Sequence, residues 1–224
     1  KKNHDPKVFT HKSVEKQPDL KTETVNGKRF YVLPNGNKYP SITTVLSARG
    51  NAGILKWRAS VGEQVANTIM RNAANRGTAV HTLTENYLNN EELSQQGVLP
   101  TALFTILKTE LDKINNIVMQ EGSLYSNKWG VAGRVDCIAE YDGKLSVIDY
   151  KTSNKLKKKE WCESYFAQGA FYGVAYEELT KIPVPQVVII MAVENEHPQL
   201  FVEKRDDWID KIWEAKKLYE LNSI

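Results

Sequence analysis

Asp136 and Asp149 lie thirteen residues apart, and Lys151 follows the second acid by two. Each acid sits in a stretch that reads as β-strand, Val131–Tyr141 (VAGRVDCIAEY) and Leu145–Lys151 (LSVIDYK). Side chains alternate along a strand, so Asp149 and Lys151 share a face and Tyr150 points away. Asp142-Gly143 between the runs is a strong hairpin turn signal. Two carboxylates and an ammonium therefore converge at a hairpin, a seat for a divalent metal and for phosphoryl transfer. A carboxylate leaving an apolar strand such as Val147-Ile148-Asp149 is costly to bury unless it is paired or bound to metal. A structural salt bridge from Asp149 to Lys151 or Arg134 is the competing reading.

Further polar residues recur at telling intervals. His81 and Glu85 stack on one face of a helix, where imidazole and carboxylate can ligate a cation or bond each other. Glu121, fifteen residues before Asp136, could orient a metal-bound water or close a helix. Trp161, Tyr165, Gln168 and Tyr172 fall along one helical face. Trp161 reads as packed on the sheet, whereas a buried Gln168 amide needs hydrogen-bond partners that a nucleic-acid backbone or phosphate would supply. Lys56-Trp57-Arg58 mixes a stacking ring with two cations, as suits single-stranded nucleic acid, although Trp57 also belongs to an apolar stripe. Lys155, Lys157, Lys158 and Lys159 follow Lys151, either as a solvated surface or as phosphate contacts.

The elements that must position these residues follow from periodicity. Residues 1–22 are polar, basic and without apolar period, and read as an arm; residues 23–224 read as a single domain. Arg29–Leu33 and Lys38–Tyr39 flank Pro34-Asn35-Gly36 and form a short hairpin. Ser41 is the candidate N-cap of a helix opening at Pro40-Ser41. Residues 54–75, with Ile54, Trp57, Val61, Val65 and Ile69 at helical spacing, read as a helix, as do 77–89 and 101–120. In the last, Leu103, Leu107, Leu111, Ile114 and Val118 make an apolar stripe. After the hairpin within 123–151 come a helix over 160–179, a buried strand over Val184–Val193, a short strand over Gln199–Glu203 and a final helix from Asp206. This order implies a mixed α/β domain.

A chain of 224 residues can bury a full core. Its charged content of 25% and net charge of +3 are ordinary, too small a charge to establish a polyanionic partner. Cys137 and Cys162 suit a reducing compartment and cannot complete a four-cysteine metal or iron–sulfur site. No run long enough for a membrane span occurs, so no membrane partner is expected. The opening Lys-Lys-Asn-His has no apolar core of a signal peptide, and the missing initiator Met leaves room for residues upstream.

Four segments resemble, in order, the motifs of RecB-like nucleases of the PD-(D/E)XK superfamily, including phage-encoded exonucleases. They are Arg76-Gly77-Thr78-Ala79-Val80-His81 with Glu85, Gly133-Arg134-Val135-Asp136, Val147-Ile148-Asp149-Tyr150-Lys151-Thr152, and Gln168-Gly169-Ala170-Phe171-Tyr172. Tyr39-Pro40-Ser41-Ile42-Thr43-Thr44-Val45-Leu46 resembles a segment near the start of such domains. The resemblance spans roughly 38–220 and implies an α/β restriction-endonuclease-like core: a central mixed β-sheet flanked by helices, with a helical N-terminal elaboration. It implies that Asp136 and Asp149 hold Mg²⁺ or Mn²⁺ with the Tyr150 carbonyl, that His81 completes or modulates the site, and that Lys151 orients or activates the attacking water. Glu85 and Glu121 match acidic positions whose roles are less defined. Gln168 and Tyr172 match the Gln-xxx-Tyr motif. With Lys56, Trp57, Arg58, Arg76, Thr152, Lys155 and Lys157, they form the expected nucleic-acid contacts. No iron–sulfur cluster is expected. The implied activity is a metal-dependent DNA exonuclease preferring single strands or free ends, acting beside replication or recombination proteins. The implied setting is a bacterial host's cytoplasm, with a mitochondrion or another reducing compartment as the alternative. A structure-specific endonuclease and a non-catalytic nucleic-acid-binding recombination protein are the competing functions.

Overall fold

The computed structural model describes residues 7–14 and 19–223; the rest of the expected arm lies outside them. Strands β1 (Lys21–Val25), β2 (Lys28–Val32) and β3 (Lys38–Pro40) form a small antiparallel sheet. The β2–β3 hairpin is the expected one. The β1–β2 hairpin was not anticipated, although its turn is Asn26-Gly27 with both residues at positive φ, the geometry an Asn-Gly pair favours. Ser41 caps α1 (Ile42–Ser47) as expected, its hydroxyl accepting from the Thr44 amide at 3.1 Å.

Helices α2 (Ala52–Val61) and α3 (Glu63–Leu88) depart from expectation at their joint. The break falls at Gly62, whose φ of 89° only glycine adopts without strain, and the chain runs helically straight through Arg76-Gly77. The predicted stripe is not a core stripe either. Ile54, Val65 and Ile69 are exposed, because only the second half of α3, through Val80, Leu83 and Leu88, lies on the main sheet.

Helix α4 (Val98–Leu111) buries Leu103, Leu107 and Leu111 as its periodicity requires, but stops there. Residues 114–120, read as the end of that helix, belong to β4 (Ile114–Ser126). Ile114, Ile117 and Val118 suit a helical stripe and a pleated face alike, and pairing with β5 (Val131–Tyr141) decides for strand. Between Asn115 and Met119 the register shifts, so three residues of β4 stand opposite Ala139 alone. The bulge is sealed by the N-terminal arm: the Ile117 amide donates to the Thr10 carbonyl at 2.9 Å and the Lys12 amide to the Ile117 carbonyl at 2.8 Å. Phe9 buries its ring against Tyr87 beside it.

Asp142 and Gly143, both at positive φ, turn β5 into β6 (Lys144–Ser153) as the sequence predicts. Helix α5 (Glu163–Thr180) then crosses to β7 (Gln186–Val193), parallel to β6, before β8 (Gln199–Lys204) and α6 (Ile209–Asn222). The sheet is mixed, in the order β4-β5-β6-β7-β8. β7 shows why its run is apolar throughout. Val187, Ile189 and Met191 join the core under α5 and α6, while Val188, Ile190 and Ala192 join the core under α3 and α4. Each of the buried Val, Ile and Met side chains contributes about 1.5–3 kcal/mol. No helix of the described residues is long and apolar enough to cross a membrane.

Candidate active site

β5 and β6 pair from the Asp142-Gly143 turn up to Cys137 and Ile148, and then part. The next residues outward are Asp136 and Asp149. Because β6 leaves β5 here to continue along β7, the Tyr150 amide has no β5 carbonyl to meet and donates to Asp136 Oδ2 at 3.1 Å instead. The pleat of β5 also slips at this point, since Val135 and Cys137, two apart, face opposite cores. Across from Asp136 the β4 ladder skips Glu121, held at φ 45° between paired Gln120 and Gly122. A left-handed non-glycine residue in mid-strand costs on the order of 1–3 kcal/mol and marks a place where a side chain is re-aimed. Here the re-aimed group is the Glu121 carboxylate.

His81 reaches this end of the sheet from α3. Its Nε2 lies 2.9 Å from the Tyr150 carbonyl, which can only accept, so Nε2 carries the proton of the neutral ring. Nδ1 then faces Asp136 Oδ1 at 3.5 Å and Glu121 Oε1 at 3.7 Å. Burial opposes a charge on the imidazole, but the Glu121 carboxylate and the charges of Asp136 and Asp149 outweigh it and lift its pKa to about 9. Glu121 Oε2 accepts from Arg134 Nε at 3.3 Å. Glu85, one turn along α3, has its pKa raised by burial and by the Glu121 charge.

Asp149 and Lys151 share the face toward α5, as alternation requires. Burial works against an ionised Asp149, yet the Lys151 ammonium and the hydrogen bond with Asp136 hold its pKa below the usual carboxylate range. Asp136 takes the opposite shift, pushed well up by burial and then by the Asp149 charge. Lys151 Nζ lies 3.0 Å from Asp149 Oδ2 but off the direction of a hydrogen bond, leaving that buried oxygen without a donor. Desolvation opposes the Lys151 charge, and the two carboxylates more than restore it, raising its pKa. The Lys151 ammonium also lies 4.7 Å above the Tyr165 ring.

This donor set fits a divalent cation. Ligand atoms of His81, Glu121 and Asp136 lie within 4.8 Å of one another, and a buried carboxylate oxygen of Asp149 beside them lacks a donor. Hard cations take such oxygen-rich sets, and positive charge relieves the repulsion between the acids.

From the α5 side, Gln168 Nε2 donates to the buried Tyr172 hydroxyl at 3.3 Å. Tyr172 fits only because residue 133 is glycine: a Cβ there would stand 2.7 Å from Tyr172 Cε1 and 3.1 Å from Ile42 Cγ2. Gly133→Ala is therefore expected to cost about 1–3 kcal/mol of stability and to displace the Gln168–Tyr172 pair. Thermal melting and a cleavage assay test this together, and parent-like values in both would refute the tight fit.

The other expected contacts are more dispersed. Arg58 is engaged by Glu63 across the α2–α3 joint, with Nη2 and Oε2 2.7 Å apart, and by Asn67. Lys56 and Lys155 are exposed, and Trp57, Arg76 and Thr152 are half-buried. Lys157 exchanges backbone bonds with the Gln199 amide, and its Nζ donates to the Tyr165 hydroxyl at 3.1 Å. Trp161 does not pack on the sheet; it is 63% exposed, with Lys158 over its ring. Arg29, on the expected strand β2, lines an opening with Arg134, Gln168 and Tyr172, a placement that no local pattern marks.

A family model described as the PD-(D/E)XK nuclease superfamily matches residues 98–218, more than half of the chain. Mitochondrial genome maintenance exonuclease 1 of Homo sapiens is 27% identical over 132 residues, which cover 54% of this chain and 38% of that protein. Its Mus musculus counterpart is 36% identical over 73 residues, covering 33% of this chain and 20% of that one. The chain therefore spans well under half the length of these curated relatives. A solved chain from Eubacterium rectale superposes with a TM-score of 0.44 at 15% identity, covering 67% of this chain and 64% of that one. With its mixed sheet between helices and its ordered motifs, the chain belongs to the PD-(D/E)XK nuclease superfamily.

Proposed function

We propose that this protein is a metal-dependent DNA exonuclease that hydrolyses phosphodiester bonds where β5 and β6 part, with a preference for single strands or free ends. The observation that carries the reading is the convergence of Asp136, Asp149 and Lys151, with Asp149 Oδ2 buried 3.0 Å from Lys151 Nζ and without a hydrogen bond. Asp136 and Asp149 would hold Mg²⁺ or Mn²⁺, assisted by His81, Glu121 and the Tyr150 carbonyl. Such an ion lowers the pKa of a bound water and neutralises charge on the reacting phosphate.

The chain's own groups supply the rest. Lys151, kept charged by the carboxylates, orients the attacking water and offsets charge gathering on the phosphoryl oxygens. His81 Nε2 holds the Tyr150 carbonyl in place, and the Gln168–Tyr172 pair supports the strand beside the acids. Glu85 adds to the negative field around Glu121. Single-strand preference is supported by the approach to Lys151. That opening is a cavity of about 370 Å³ lined by Thr43, Ser47, Ile54, Tyr165 and Gln168, so an aromatic ring stands in the wall where an unpaired base could stack. Relatedness to proteins named as exonucleases supports the exonucleolytic mode.

End-labelled linear single and double strands and a circular single strand, incubated with Mg²⁺ or Mn²⁺ and with chelator, test the reading. Linear single strands should be degraded only with metal, and circles spared. Cut circles would favour the endonuclease, and no degradation under any metal would favour a binding protein without catalysis.

A further inference from the structure

Two openings flank Gln168. One is the cavity over Lys151; the other, about 530 Å³, lies between the β1–β2 hairpin and α1, and the two share Thr43 and Gln168. No step of the chemistry above uses the second. Its walls carry the Arg29 and Arg134 guanidiniums and the hydroxyls of Thr24, Thr43 and Thr44. The rings that line it, Tyr31 and Tyr172, are each only 4% exposed, so no ring face is offered for a base to stack upon. The Lys151 opening differs: Tyr165 lines it, and exposed Trp161 stands one turn earlier on the same segment.

Arg29 is well prepared for a ligand. It faces Thr24 across the β1–β2 ladder, and its carbonyl accepts from the Ser41 amide at 3.0 Å, which fixes the strand against the base of α1. Its side chain is exposed and makes no hydrogen bond or ion pair among the described residues. Arg134 is held toward the site by Glu121. Guanidiniums pair bidentately with phosphate oxygens and hydroxyls bond phosphates and sugars, so this donor set without a stacking platform suits the backbone better than the bases.

We propose that the groove between the β1–β2 hairpin and α1 binds the sugar–phosphate backbone of the substrate strand on the far side of Gln168 from Lys151, with Arg29 as its principal phosphate contact. The proposal rests on the nuclease reading and adds to it a backbone-reading side, independent of sequence, opposite a ring-bearing side.

Binding of a fluorescent thymidine oligonucleotide, followed by anisotropy across a sodium chloride series, tests it. All proteins carry Lys151→Ala, so that binding is read without cleavage. Arg29→Gln is expected to make the slope of log K against log salt shallower by about 0.7, the share of one phosphate contact on a single strand. Arg29→Lys should restore the slope, and Lys144→Gln at the remote β5–β6 turn should leave it at the parent value. An unchanged slope in Arg29→Gln, or an equal change in Lys144→Gln, overturns the assignment of this groove alone. A parent that binds no oligonucleotide even at low salt overturns the nuclease reading, and the groove with it.

Discussion

Asp136→Asn should abolish cleavage while raising the melting temperature of the metal-free protein. The amide keeps an oxygen for the Tyr150 N–H and, unlike the acid, keeps a donor for the hydrogen bond with Asp149 at every pH. It also removes the like charge that burial and Asp149 make unfavourable at this position. Activity moves the other way: losing an oxygen ligand that serves a cation removes several kcal/mol of transition-state stabilisation, and about 4 kcal/mol is about a thousandfold in rate. The sign with pH follows from linkage. Asp136 keeps its proton to higher pH in the folded chain than in the unfolded one, so the folded state binds more protons and the parent loses stability as pH rises through that interval. The advantage of the amide should therefore be small at acidic pH and larger at neutral pH, in melts run with chelator. Parent-level cleavage would remove Asp136 from the site, and a lower neutral-pH melting temperature would refute the repulsion argument. Asp149→Ala and Lys151→Ala should likewise lose cleavage with the fold intact, without that gain, since each strands its partner's charge.

The second large effect is one of packing. Gly169 lies inside the Gln168–Tyr172 motif, and a Cβ there would stand 2.4 Å from Val187 Cγ1 on β7. Val187 is buried and β-branched, with little rotamer freedom to yield. Gly169→Ala is expected to cost about 1–3 kcal/mol, at the upper end because both neighbours along α5 are packed. Pairing it with Val187→Ala opens the space, and the double mutant should be more stable than the sum of the two single changes predicts. Denaturant unfolding of the four proteins measures this coupling, and strict additivity would refute the collision. The motif glycine thus sets how closely α5 approaches the sheet, and so where Gln168 and Tyr172 stand relative to the acids.

Features with local causes were legible in the sequence. The Asp142-Gly143 turn, the Ser41 cap, the two-sided apolar run of β7 and the shared face of Asp149 and Lys151 each follow from a few adjacent residues. Ile114–Gln120 was misread because its apolar spacing fits helix and strand, and only pairing with β5 arbitrates. The sequence reading places Arg29 on a strand but not β1 beside it, although the Asn26-Gly27 turn that pairs the two is a local signal. Trp161, Ile54, Val65 and Ile69 look like core by type and are exposed, because burial depends on which layer a helix lies against. Glu121 could be named as a candidate, but its aim comes from a left-handed backbone set by β4 and β5 together, which no residue pattern announces.

The parting of β5 and β6 has a consequence for the ways this sequence can change. Apolar residues at 136 and 149 would remove two buried carboxylates whose mutual repulsion and desolvation oppose folding. Selection for heat resistance alone should therefore drift toward apolar residues at these two positions, and its hardiest products should lack the groups proposed to hold the metal. Durability and the proposed turnover thus compete for the same two side chains, so the acid pair should persist only while cleavage is selected.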